Sequence, residues 1–427
     1  MKKITMSAVA LTAIMGSFSS VSAADGINIL DDLKFEGEIR PRYEMVDDGN
    51  SATANANAIT ARTKLKVTGN LLDVDGLTAS VGIISVNNFG SHEYNWGKDA
   101  NGNFVPGYND GTKPYSIVVD PQKAIISNAE VTYKTGDTVL HAGRGQVNLD
   151  NQRFIGTVGW RQLERSYDTL YVANNSIENL SVLAAWVYGF QGVGAGETTD
   201  TNSILLHAAY SVMPELKVTA YDYMIASYSD TMGIALTGDL KLNPAKLNYR
   251  VEYAHQTDAT MEIHNASRKA NADYYNLDLG ANFSGILAGI NYEFLSGTEA
   301  NSNANRTFYT PLGTNHKFNG WADVFLKQTP KGGLIDTNVR LGYKAKGIGK
   351  FLVVYHDFTA DKAMVAGTGT SDDLGSEFDF LYANKIPGVK NLSGLLKYAS
   401  YSKGAADGYT NDVSKFWAQV DYKFSTK

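Results

Sequence analysis

From Phe35 to Met45 the chain alternates with a period of two. Phe35, Gly37, Ile39, Pro41, Tyr43 and Met45 are apolar or small, and every residue between them, Glu36, Glu38, Arg40, Arg42 and Glu44, is charged. Only an extended strand sends successive side chains to opposite faces, so this segment predicts a strand with one apolar and one charged face. Ala61, Thr63, Leu65 and Val67 repeat the pattern against Arg62, Lys64 and Lys66. Leu247, Tyr249, Val251 and Tyr253 repeat it against Asn248, Arg250 and Glu252, and Val339, Leu341 and Tyr343 against Asn338, Arg340 and Lys344. At the far end Phe416, Ala418, Val420, Tyr422 and Phe424 alternate with Lys415, Trp417, Gln419, Asp421 and Lys423. Pro41 is a local blemish, because it has no N–H to give a ladder.

A soluble sandwich also alternates, so the connections must discriminate. Tight links are expected at 73–76, 135–137, 174–179, 213–215, 243–245, 284–285, 346–349 and 387–390. Between them stand mostly longer polar links near 47–57, 87–122, 145–165, 191–202, 227–231, 258–271, 297–333, 359–374 and 403–412. Short turns on one side and long loops on the other are the layout of a transmembrane barrel. Seventeen connections imply an all-β, antiparallel, up-and-down barrel of 18 strands, with 16 as the alternative count.

The amino terminus agrees with export. Lys2 and Lys3 precede an apolar stretch from Ala8 to Met15, and Val21-Ser22-Ala23 offers a small-residue cleavage site. Residues 1–23 therefore read as a signal peptide of the general secretory route, and 24–427 as one barrel domain in the outer membrane of a Gram-negative bacterium. No segment holds 18 uninterrupted apolar residues, which excludes a helical membrane protein. The chain has no cysteine, 25 tyrosines and 41 glycines. Tyrosine suits a membrane–water boundary, and the lack of cysteine removes disulfides and thiolate metal sites. Loss of Lys2 and Lys3 would take the net charge from −6 to −8, a balance that does not suggest nucleic acid as a partner.

No catalytic constellation emerges, and the expectation is not an enzyme. The seven histidines, His92, His141, His207, His255, His264, His316 and His356, lack close metal-ligand spacing, so neither a metal nor a cofactor is expected. Gly192–Gly196 lies in a polar loop and is no nucleotide fingerprint. The interior cations Arg40, Arg42, Arg62, Lys64, Lys66, Arg250, Arg340 and Lys344 stand against Glu36, Glu38, Glu44, Glu252, Asp336, Glu377 and Asp379. They admit two readings: a lattice of interstrand ion pairs, or a basic strip from Arg40, Arg42, Arg62, Lys64 and Lys66 that attracts anions.

Two loops are unlike solvated ones. The first carries Arg144, Arg153, Arg161 and Arg165 with Phe154 and Trp160; the second carries Phe308, Phe318, Trp321 and Phe325, and its Pro311 and Pro330 forbid a regular central strand. Aromatic side chains that need burial, beside guanidiniums that make forked hydrogen bonds, predict loops folded inward to narrow a pore.

Over these loops, in Gly143-Arg144, Leu149–Gly156, Val158–Gln162, Thr310–Thr314, His316 and Phe318–Asp323, and further on in Tyr355–Phe358, the sequence resembles the alginate-export-like family of outer-membrane barrels. The resemblance implies an 18-stranded barrel and an arginine-lined constriction for anionic sugars. The chain departs from barrels of this kind at its end, where Ser425-Thr426-Lys427 follow Phe424. The expected function is a porin for small hydrophilic, and in part anionic, solutes, with pore-lining Arg40, Arg42, Arg62, Lys64, Lys66, Arg144, Arg153, Arg161, Arg165, Arg250 and Arg340. The alternative is a dedicated channel for an anionic polysaccharide such as alginate. A third reading is a barrel whose long loops grip a ligand or another cell. Expected partners are membrane lipid, lipopolysaccharide and saccharide solutes, with a homo-oligomer as an option.

Overall fold

The computed structural model describes residues 21–22, 28–95, 112–194, 196–261, 270–302, 306–326 and 329–426. The expected signal peptide lies outside them, except for Val21–Ser22 (β1), a two-residue strand set against Leu30 and Asn28. The strands that follow are β2 Asn28–Asp47, β3 Ala56–Leu71, β4 Leu77–Asn87, β5 Ala124–Thr135, β6 Thr138–Gly145 and β7 Ser166–Asn174. Next come β8 Leu180–Gln191, β9 Thr199–Met213, β10 Leu216–Ile225, β11 Ser229–Leu242, β12 Ala245–Thr257 and β13 Ala272–Phe283. The last six are β14 Ile286–Leu295, β15 Leu334–Ala345, β16 Gly349–Ala366, β17 Gly369–Lys385, β18 Leu392–Ser402 and β19 Val413–Ser425.

Among the described residues, β2 to β19 are 18 strands that each pair antiparallel with the next, and β19 pairs with β2 to close the barrel. Closure leaves no free sheet edge, which a membrane requires because hydrocarbon cannot satisfy backbone polar groups. Alternation sorts the two faces. Ile59, Val81, Leu170, Val251, Leu277, Ile290 and Leu341 are exposed on the outside, while Arg62, Glu252, Asn276, Glu293 and Asp336 are buried within. A soluble protein would not leave so continuous an apolar wall bare; a bilayer covers it.

All eight tight links and all nine others fall where the sequence places them, with one change of character. The expected loop at 359–374 is a hairpin: β16 runs to Ala366 and β17 resumes at Gly369. The register breaks between Thr359 and Met364, and pairing then resumes as Met364 with Ser371 and Ala366 with Gly369. Its small polar residues read as loop, but after the irregularity both strands continue as one paired extension.

The interior is narrowed by two loops. The 146–165 loop and the described part of the 296–333 loop fold into the lumen. Ile155, Leu163, Phe308, Leu312, Ala322 and Phe325 are buried there. Phe154 packs on Tyr221, Tyr274 and Phe308 at centroid distances of 5.5, 5.2 and 5.9 Å.

Candidate pore constriction

The first loop is seated on the charged face of β2 and β3. Arg40 Nη1 donates to the Gly159 carbonyl at 2.9 Å, Arg42 to that of Trp160, and Arg62 Nη1 to that of Arg161 at 3.4 Å. Gln162 Nε2 donates to Thr60 Oγ1 at 2.9 Å. A loop inside a barrel has backbone carbonyls with no ladder to receive them, and wall guanidiniums supply the donors.

The same cations are neutralised pairwise. Arg40 meets Glu38 and Asp421, each at 2.7 Å, and Arg62 meets Glu38 at 2.8 Å and Glu164 at 2.9 Å. Lys64 pairs with Glu164 at 2.8 Å and Lys66 with Glu130 at 2.7 Å. Arg42 lies 3.6 Å from Asp120 and 3.8 Å from Glu44. These five residues therefore form an ion-pair lattice under the loop, not a bare basic strip; Arg42 and Arg62 are fully covered. Asp120, from the 88–123 link, went unnoticed in the sequence. It accepts from the Gln162 N–H at 2.9 Å and also faces Arg161 at 3.7 Å.

The loop's own arginines take different roles. Arg161 makes an ion pair with Glu44 at 2.9 Å, and the surrounding carboxylates hold its guanidinium above the ordinary range although burial opposes them. Arg153 is forked onto Glu293, at 2.8 and 3.2 Å, and reaches Asn319 at 2.9 Å. Arg165 donates to carbonyls of Gly156, Pro311 and Gly313. Arg144 lies apart, in β6, where a forked pair with Asp168 and a bond to Thr198, all at 2.7 Å, brace the wall.

The second loop crosses to the opposite wall. Its tip donates backbone N–H groups to wall carboxylates: Ala322 to Glu377 Oε1 at 2.7 Å and Trp321 to Asp379 Oδ2 at 3.2 Å. Gly320 has φ +83°, and a Cβ there would lie 2.4 Å from Glu377 Oε2, so both backbone and space demand glycine. Asp323 receives Lys415 at 2.8 Å and faces Arg161 at 3.6 Å. Burial alone would raise Asp323, but His316, Lys415 and Arg161 outweigh it and hold the carboxyl far below its usual range.

Lys397, on β18, is the feature sequence reasoning missed most completely. Its ammonium donates to His316 Nε2 at 2.7 Å and lies 3.9, 4.4 and 5.3 Å from the ring centres of Trp321, Trp160 and Trp417. His316 bonds Asp323 through Nδ1 at 2.5 Å. An imidazole that accepts at Nε2 and donates at Nδ1 is neutral. Burial accordingly pushes His316 down to about 3 despite the pull of Asp323. The histidine expected to be merely scattered thus joins both loops to the wall. Trp417, on the charged face of β19, was the available signal: a buried indole where alternation calls for a polar residue.

The loops also lock each other. Gly156 N–H donates to the Leu312 carbonyl and Thr314 N–H to that of Gln152, both at 2.9 Å, and Trp160 stacks on His316 at 4.8 Å. On the short-turn side of this plug opens a cavity of about 1180 Å³. Arg250, Lys317, Arg340 and Lys350 line it together with Trp160 and Phe318. Arg250 pairs with Glu252 at 2.7 Å and Arg340 is forked onto Asp278 at 2.7 and 2.8 Å, whereas among the described residues Lys317 hydrogen-bonds the Asn151 carbonyl alone, at 3.1 Å.

No family model and no curated protein matches the chain. Solved structures do. Pseudomonas aeruginosa OccK8 (OprE) is similar with a TM-score of 0.69 at 14% identity, covering 93% of this chain and 100% of that one. Acinetobacter baumannii OccAB2 has a TM-score of 0.70 at 15% identity over 93% and 99% of the two chains. Pseudomonas aeruginosa OpdK with vanillate has a TM-score of 0.66 at 11% identity over 93% and 100%. At such identities the likeness establishes the fold, a closed porin-like barrel of 18 strands. The narrower resemblance to alginate exporters gains no support from these comparisons.

Proposed function

We propose that this chain is an outer-membrane diffusion channel for small hydrophilic solutes with a preference for anions, and not an enzyme. The observation that carries the reading is the water-accessible cavity lined by Arg250, Lys317, Arg340, Lys350 and Lys397 against Asp278, Glu293 and Asp336, and ended by two interlocked loops inside a lipid-facing barrel. Charged walls and a narrow waist act by selecting size and sign. The OpdK structure with vanillate, a small carboxylate, supports the same class of solute. Arg153, Arg161 and Arg165 shape the waist by holding the loops, while Arg250 and Arg340 face the solute. Removal of residues 1–23 on export belongs to this reading.

Single-channel recording in planar bilayers under a salt gradient tests it. Wild type should conduct with anion preference, and Arg250→Ala with Arg340→Ala should reduce that preference. A barrel that passes no ions, or whose selectivity is the same in the double variant, overturns the proposal. The interlocked loops favour small solutes over a polymer such as alginate. Liposome swelling with saccharides of rising size separates the two, because a polysaccharide channel would admit long oligomers.

A further inference from the structure

The closure seam of the barrel carries a second feature, on its outer face. Between β19 and β2 the register runs from Gln419 with Arg42 directly to Tyr422 with Ile39, so the backbone ladder to β2 is missing where Val420 and Asp421 stand opposite Pro41 and Arg40. Pro41 has no N–H to give, so the ladder lapses there. Beside the lapse three of the outward residues are small or ring-closed, Pro41, Ala418 and Gly394, with Val420 between them. Taller ones flank them, Tyr43 and Ile59 on one side, Tyr382, Ile386 and Leu396 on the other. The result is an apolar groove of about 750 Å³ in the lipid-facing wall, running toward the 386–391 turn.

The end of the groove is basic. Lys390 stands in the adjoining turn, exposed and with no ion-pair partner among the described residues, whereas Lys385 closes β17 on the inward set with Glu377, Asp379 and Leu381. The neighbouring 346–348 turn adds Lys346, and neither turn contains a carboxylate. This rim is held in place: Tyr382 Oη donates to the Ile348 carbonyl at 3.1 Å, and Asn384 Nδ2 to those of Gly347 and Ile348 at 3.4 and 3.3 Å.

We infer that the groove holds an acyl chain of an anionic phospholipid from the leaflet at the short turns, with Lys346 and Lys390 on its phosphate. An apolar trench alone would accept any lipid, whereas a lysine pair at headgroup depth discriminates by charge. The inference rests on the barrel spanning a bilayer and is independent of what the lumen conducts.

Native mass spectrometry of the full barrel, titrated with phosphatidylglycerol or with phosphatidylcholine of the same chains, tests it. One phosphatidylglycerol should be retained with about tenfold preference. Lys346→Gln with Lys390→Gln should abolish the preference but leave weak binding of both lipids. Gly394→Leu fills the trench: its Cβ would find nothing nearer than 3.8 Å, so the fold should tolerate it, and lipid retention should fall for both. Ala418→Leu serves the same end if Gly394→Leu does not fold. Equal retention of the two lipids by wild type, or unchanged retention in the groove-filled barrel, overturns the inference.

Discussion

The two inward loops reach the same lumen by opposite chemistry. The 146–165 loop brings cations: Arg153 forks onto Glu293, Arg161 pairs with Glu44 through one nitrogen, and the loop's carbonyls receive wall arginines. The 306–326 segment brings N–H groups and one carboxylate: its tip is received by Glu377 and Asp379, and Asp323 collects Lys415, Arg161 and His316. A loop without a ladder partner must have its polar groups satisfied from elsewhere. Here the wall is acidic where one loop is basic and where the other presents amides, and basic where a loop presents carbonyls. The loops meet at Trp160 and His316, so loosening one should loosen the other.

Breaking the first loop should cost most. Arg153→Ala leaves Glu293 buried without its guanidinium, a loss of about 3–5 kcal/mol. Denaturant unfolding in micelles should show it, with larger and noisier conductance as both loops come free. If conductance stays as in wild type, the loops are not the waist. Asp323→Asn strikes the second loop and removes charge-assisted bonds to Lys415 and His316, for about 2–3 kcal/mol by the same unfolding measurement.

Acid sharpens the comparison at the junction. His316 has a folded value below its unfolded one, so it favours the folded state fully above about pH 6.5 and progressively less as pH falls toward 3. Between those limits wild type should lose about 1.4 kcal/mol per pH unit from this group. His316→Gln should show a shallower acid slope, and parallel slopes would remove His316 from the account. The smallest effect is expected for Lys317→Ala, which is exposed at the cavity: under about 0.5 kcal/mol in stability, but a measurable fall in anion preference by reversal potential.

Much of the barrel was legible because a strand's two faces are written at a period of two. The strand positions, the inward set from Glu36 to Glu44, and the rhythm of turns needed no long-range information. The loops were legible in kind, since Phe154, Phe308 and Phe325 must leave water, and burial could be read from composition. Their docking was not. That Arg153 meets Glu293, 140 residues away, or that Asp120 sits between Arg42 and Arg161, depends on which strands closure brings across the lumen. The basic strip misled for the same reason: Arg40, Arg42 and Arg62 are adjacent in the wall, but Asp421 and Glu164 arrive from the far strand and the loop.

By itself, the sequence determined that this chain makes strands with one apolar and one polar face, that their number closes a barrel, and that two loops cannot remain in solvent. These are local properties of side-chain period and solvation. Only the tertiary structure decided that the charged wall under the first loop is neutralised pair by pair, that Lys397 is held by a histidine and three indoles, and that Pro41 opens a groove at the seam. Electrostatic and packing partners are set by distance in space, and closing the barrel joins the first strand to the last.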